Sequence, residues 1–177
     1  LRRFLDRLYA ASGALAAVCL ASIAAVMLAQ AGMRELGMLL RGADDIVAWL
    51  CAASAFLALG HTFRRGELVR VGLLIDYLAP VPRRRVALAA LGIAVLFVGY
   101  MVYAVGRFVW ESWKFHEVAQ GLIQIPIWIP QMSFLVGVVI FFVAVADEFW
   151  VLLRGGIPAY QAAEEDRRAR KDFSETL

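Results

Sequence analysis

Four long apolar stretches fill this sequence: Ala11 to Gly32, Ile46 to Phe63, Val86 to Trp110, and Pro130 to Leu153. Crossing about 30 Å of hydrocarbon at about 1.5 Å rise per residue takes about 20 mostly apolar residues, and each stretch is of that order. Hydrophobic residues make up 62% of the chain and the mean hydropathy is +0.71, far from the roughly half-apolar make-up of an ordinary soluble domain. The fold class expected is therefore an all-α integral membrane protein with four transmembrane helices. One membrane domain over 1–158 and a polar tail over 159–177 follow from the spacing.

The first stretch follows Arg2, Arg3 and Arg7, as the apolar core of a signal peptide would. It is too long for that role and three further spans come after it, so it is read as a span. Basic residues set the orientation. Arg2, Arg3 and Arg7 precede the first span, six arginines (Arg64, Arg65, Arg70, Arg83, Arg84, Arg85) separate the second and third, and Arg154, Arg167, Arg168, Arg170 and Lys171 follow the fourth. The other two connections hold only Arg34 with Arg41 and Arg107 with Lys114. The positive-inside rule then places both termini and the middle connection in the cytoplasm. Trp49, Trp110, Trp113 and Trp128 fall at the outer ends of their spans and Trp150 near an inner end, the headgroup levels that indole rings favour. The net charge of +3 is thus a topology signal with anionic lipid headgroups as neighbours, and requires no nucleic acid.

Two connections are unusual. The middle one, from Arg64 to Arg85, is more apolar than a cytoplasmic loop requires, and the part ending at Pro80 is too short to span, so it is expected to lie in the plane of the interface. Asp76 falls away from Glu67 and Arg70 on a helical wheel, which implies protein as well as lipid around it. The connection from Glu111 to Gln131 carries Pro126 and Pro130, expected to break a helix and to hold an extended lead into the fourth span that caps the outer face. The polar tail has Glu164 with Arg168 and Asp166 with Arg170 at helical spacing.

Within the spans, Gly13, Ala17, Ala21, Ala25 and Ala29 form a small-residue ridge expected to meet another helix. Cys19 and Cys51 lie in apolar surroundings without a Cys-x-x-Cys spacing and read as small core residues. His61 and His116 fall at opposite ends of the spans, too far apart to share a haem iron. Asp147 and Glu148 are the acids nearest a span interior. A coupling carboxylate is one reading of them; an ion pair with arginines of the middle connection or with a neighbouring subunit is the other. Arg107 and Glu111 stand four apart on one face, and Asp44 and Asp45 stand where a helix N-cap and first turn favour acids. No phosphate loop, metal-ligand spacing or nucleophile with its base is present, so an enzymatic reading has no support and no cofactor is expected in this chain.

Two stretches resemble a known family. Phe63-Arg64-Arg65-Gly66-Glu67 with Arg70-Val71, Leu74 and Asp76 is similar to a basic pattern, and Gly121 with Ile125-Pro126-Ile127-Trp128-Ile129-Pro130 to a Pro-x-Trp element, of the small membrane (Q) subunit of tripartite ATP-independent periplasmic (TRAP) transporters. The likeness covers the second to fourth spans and, more loosely, the first. It implies a small permease subunit of a sodium-coupled importer of organic acids in the bacterial inner membrane. A periplasmic substrate-binding protein would deliver the solute to a large multi-span subunit, which holds the substrate and sodium sites, while this chain serves as a membrane scaffold. The chain stops after a polar tail, which implies a subunit separate from the large one. Arg64, Arg65, Glu67, Arg70, Asp76, Arg107, Glu111, Pro126, Trp128, Pro130, Asp147 and Glu148 are the candidates for partner contact. The alternative is a free-standing four-helix membrane enzyme or small carrier.

Overall fold

The computed structural model describes residues 2–65, 80–156 and 158. Four helices account for most of them: α1 at Arg2–Glu35, α2 at Ala43–Arg64, α3 at Pro80–Lys114 and α4 at Trp128–Leu153. All four are long and apolar enough to cross a membrane. The shortest, α2, has 22 residues, or about 33 Å of helix, just over the hydrocarbon thickness. Each expected span lies inside one helix; the last helix begins at Trp128, two residues ahead of the expected start at Pro130. Pro130 occupies the third position of α4, where its missing N–H belongs to the first turn and would have had no partner inside the helix. The proline therefore sits within the first turn of the helix, two residues after its start. The expected in-plane segment and the polar tail fall on 66–79 and 159–177, outside the described residues, as do Glu67, Arg70 and Asp76.

The helices stand in a row ordered α1–α2–α4–α3. Neighbours in that order pack extensively, α1 touches α4 marginally, and α3 relies on α4. The N-terminus of α1, the C-terminus of α2, the start of α3 and the C-terminus of α4 share what is termed here the basic end; the 36–42 and 115–127 connections form the loop end. The row's core is concentrated towards the basic end, where Tyr9, Phe63, Leu91, Val145 and Leu152 pack together across all four helices.

Close backbone approach, which replaces the hydrophobic drive between helices in lipid, makes the seams. Between α3 and α4 the device is periodic. Gly92, Gly99 and Gly106 recur every seven residues, and a Cβ at each would meet Phe149 at 3.6 Å, Phe142 at 3.2 Å and Leu135 at 3.8 Å, themselves seven apart in the reverse direction. Antiparallel helices thus fit large side chains into gaps left by glycine. Between α2 and α4 the approach is closer, since a Cβ on Gly137 would lie 2.6 Å from the Phe56 carbonyl carbon.

The α1–α2 seam is more polar. Ser12 donates a 2.5 Å hydrogen bond to the Leu57 carbonyl, and His61 Nδ1 lies 3.2 Å from the Tyr9 carbonyl oxygen. Of the expected small-residue ridge only Gly13 meets α2, against the His61 ring; Ala17, Ala21, Ala25 and Ala29 are exposed. The packed stripe is the adjacent one through Tyr9, Ser12 and Ala16, with Cys19 against Ala53 and Leu57. Cys51, expected as a core residue, is exposed.

Candidate functional site

The polar side chains gather at the two ends of the row, and the two gatherings differ. At the basic end Arg64, in the last turn of α2, is the hub. Its guanidinium reaches Asp6 of α1 at 2.6 Å, Asp147 of α4 at 3.1 Å and Glu148 of α4 at 3.7 Å, and stacks 5.3 Å from the Tyr9 ring centroid. Glu148 is 2% exposed and Arg64 and Asp147 about a fifth, so these charges interact at a lower effective dielectric than surface pairs do. A guanidinium suits the place because its planar fork serves several acceptors from one position. Arg84, in the first turns of α3, adds a 3.2 Å hydrogen bond to the Leu152 carbonyl, a cation on the negative end of α4. Asp147 therefore pairs with an arginine bordering the middle connection, as one of its two sequence readings expected. Arg65 caps α2 and is exposed.

At the loop end a single carboxylate organises backbone. Asp44 and Asp45 do lie in the first turn of α2, but Gly42 is the N-cap, in a left-handed conformation with φ 83°, and neither acid caps the helix. Asp44 accepts a 3.1 Å hydrogen bond from Gln30 of α1. Asp45 Oδ2 accepts the N–H groups of Leu122 at 2.8 Å and Ile123 at 3.2 Å. Glycine is required opposite it, since a Cβ on Gly121 would collide with the Asp45 carboxylate, and one on Gly42 would lie 2.5 Å from Ile123.

The connection held in this way is folded, not merely extended. Val118 and Pro126 form an antiparallel bridge, with Ala119 N–H donating to the Ile125 carbonyl at 2.9 Å and Ile127 N–H to the Glu117 carbonyl at 3.0 Å. Pro126 can sit in that bridge because a bridging residue need not use its own N–H. The hydroxyl of Ser112, 1% exposed, donates to Glu117 at 3.0 Å and ties the loop to the end of α3. Trp128 and Pro130 are half-buried in the first turn of α4. Pro130, Gln131 and Phe134 face Trp49 and Phe56 of α2 across an apolar cavity of about 200 Å³.

Arg107 and Glu111 form the expected pair, Nε to Oε1 2.8 Å, with both side chains exposed on α3. The sequence-derived candidates among the described residues thus divide among three places: Arg64, Arg65, Asp147 and Glu148 at the basic end, Pro126, Trp128 and Pro130 at the loop end, Arg107 and Glu111 on the flank of α3. Asp45, Gly121 and Asp6 were missed as partners. The pairing of an acid with a glycine in a later connection was the available signal, and it becomes meaningful only once α2 and the 115–127 connection are known to be neighbours. Among the described residues no group of three or more His, Cys, Asp or Glu is placed to hold a metal ion.

No curated protein matches the chain. The sequence model of the DctQ component of tripartite ATP-independent periplasmic transporters matches residues 23–155, which takes in the last part of α1, the whole of α2 to α4 and both connections at the loop end. This multi-pass membrane chain belongs to the DctQ component family of the TRAP transporters.

Proposed function

We propose that this chain is the small permease subunit of a sodium-coupled TRAP transporter importing organic acids such as dicarboxylates, and that it acts as a non-catalytic scaffold for the large transport subunit. The observation carrying this reading is the open row. Four helices in line leave a broad outer surface on every member, and among the described residues the ion pairs of Arg64 and Arg107 lie towards helix ends. Such an arrangement suits a part that works through its flanks against another membrane protein. An importer that moves one body against another needs the stationary part held firmly in the bilayer, and the exposed indoles of Trp110, Trp113 and Trp150 near the helix ends supply anchors at headgroup level. The basic end is assigned to the cytoplasm of the bacterial inner membrane and the loop end to the periplasm, where the folded 115–127 connection stands within reach of a substrate-binding protein.

The reading is tested by co-expressing the chain with the large subunit and the binding protein, purifying through a tag on this chain, and reconstituting into liposomes under a sodium gradient with labelled dicarboxylates. Uptake is expected only when all three proteins are present. Transport by this chain alone, or failure to retain a large multi-span subunit in mild detergent, would sink the proposal in favour of a free-standing carrier.

A further inference from the structure

The two outer helices of the row differ in what they show to their surroundings. Over the apolar stretch of α1 from Ala11 to Gly32 the exposed large side chains are aliphatic or thioether: Leu15, Val18, Leu20, Met27 and Leu28. Acyl chains can cover all of these at no polar cost. On α3 the buried positions Ala87, Leu91, Val98, Val105 and Val109 form one stripe, and the opposite stripe, in steps of three and four, runs Ile93, Leu96, Tyr100, Tyr103, Arg107, Glu111. Its upper half is polar. Tyr100 is 69% and Tyr103 63% exposed, and Arg107 binds Glu111 at 2.8 Å.

Depth makes Tyr100 the telling member. The uncharged part of α3 runs from Val86 to Gly106, about 31 Å of helix, so that Tyr100 lies about 6 Å from its middle. Three hydroxyls on short side chains along the row satisfy themselves on their own helix: Ser22 donates to the Val18 carbonyl, Ser54 to Cys51 and Thr62 to Ala58. A phenol is too long to fold back in that way. A hydroxyl facing hydrocarbon without a partner is costly, and lipid tails offer no acceptor.

We infer that the Tyr100–Tyr103–Arg107–Glu111 face of α3 is the surface against which a membrane-spanning helix of the large subunit packs, and that α1 at the other edge faces lipid. This rests on the proposed role as a permease subunit. The partner helix must present a hydrogen-bond acceptor at the level of Tyr100 and small residues where it crosses the phenols.

The test uses the full chain co-expressed with its large subunit and carrying a benzophenone amino acid in place of either Tyr100 or Leu28, with irradiation in native membranes. The Tyr100 position is expected to give an adduct with the large subunit and the Leu28 position adducts with lipid. Lipid adducts or a dimer of this chain from the Tyr100 position, in a complex that still co-purifies, would overturn the assignment of the face while leaving the permease role standing. Failure of the unmodified chain to co-purify would overturn both. As a second measurement Tyr100→Phe, which keeps the shape and removes the hydroxyl, should weaken retention of the large subunit about threefold, the usual size of one interhelical hydrogen bond in a membrane, with unchanged melting of the isolated chain. Unchanged retention would count against a hydrogen bond at that level.

Discussion

The two ends of the row are closed by different chemistry. At the basic end one guanidinium gathers carboxylates from two other helices, Asp6 from α1 and Asp147 with Glu148 from α4. At the loop end one carboxylate gathers two backbone N–H groups from a connection 77 residues away in sequence. The first arrangement fixes helix against helix, over a core that spans all four. The second fixes a loop on the start of one helix. Charge pairing at low dielectric is strong but leaves a large debt when one member is lost, whereas a charge-assisted bond to neutral amides fails more locally.

The largest effect should follow from Arg64→Ala. Asp147 would lose its 3.1 Å partner and Glu148 its 3.7 Å one, and removing one member of a largely buried pair typically costs about 3 kcal/mol or more. A fall in melting temperature of about 10 °C in mild detergent is expected on that scale, with Arg64→Lys intermediate because an ammonium cannot serve three acceptors from one plane. A melting temperature within about 2 °C of the wild type would mean that the core, not the charges, closes this end.

Asp45→Ala should act next in size. It removes the acceptor of the Leu122 and Ile123 N–H groups, the first exposed and the second part-buried, so that water takes over in part and the cost is about 1 kcal/mol. Hydrogen exchange is the sharper measurement, and the gain in exchange should be confined to the 115–127 connection and the start of α2. Exchange rising along α4 as well would show that the loop clamp also supports the row, and the contrast between the ends would collapse. Gly121→Ala offers an independent route to the same contact, because its Cβ would displace the Asp45 carboxylate. The double variant should then be little worse than either single one, as expected of two changes that remove one interaction.

Hydropathy made the four helices legible, and simple spacing made the Arg107–Glu111 pair legible. The Asp147 to arginine contact followed from the cost of an acid at that depth. The order of the helices was not legible, for a physical reason: a membrane helix is apolar on all sides, so its pattern carries little information about which face meets a neighbour. The small-residue ridge on α1 illustrates this. Ala17 and Ala21 are as apolar as Ala16, and only the packed structure shows that Ala16 is buried and the other two are not. The glycines at 92, 99 and 106 were a stronger signal, because their period of seven is matched by Leu135, Phe142 and Phe149. Asp45 was legible as a first-turn acid but not as a clamp, since its partners are backbone groups with no sequence signature.

The smallest effect separates both ends from the flank of α3. Arg107 is 64% and Glu111 45% exposed, and an exposed i, i+4 pair on a helix adds little to stability and is screened further by salt. Arg107→Ala in the isolated chain should therefore shift the melting temperature by no more than about 2 °C, an effect that fades as salt is raised, where Arg64→Ala remains severe. In the assembled complex the same substitution should be felt through binding, because a pair worth little in water gains weight when a partner covers it and water is excluded. A large loss of stability in the isolated chain would show that α3 depends on this pair for its own integrity, and Arg107 and Glu111 would then join Arg64 as supports of the fold instead of marking a surface kept for another protein.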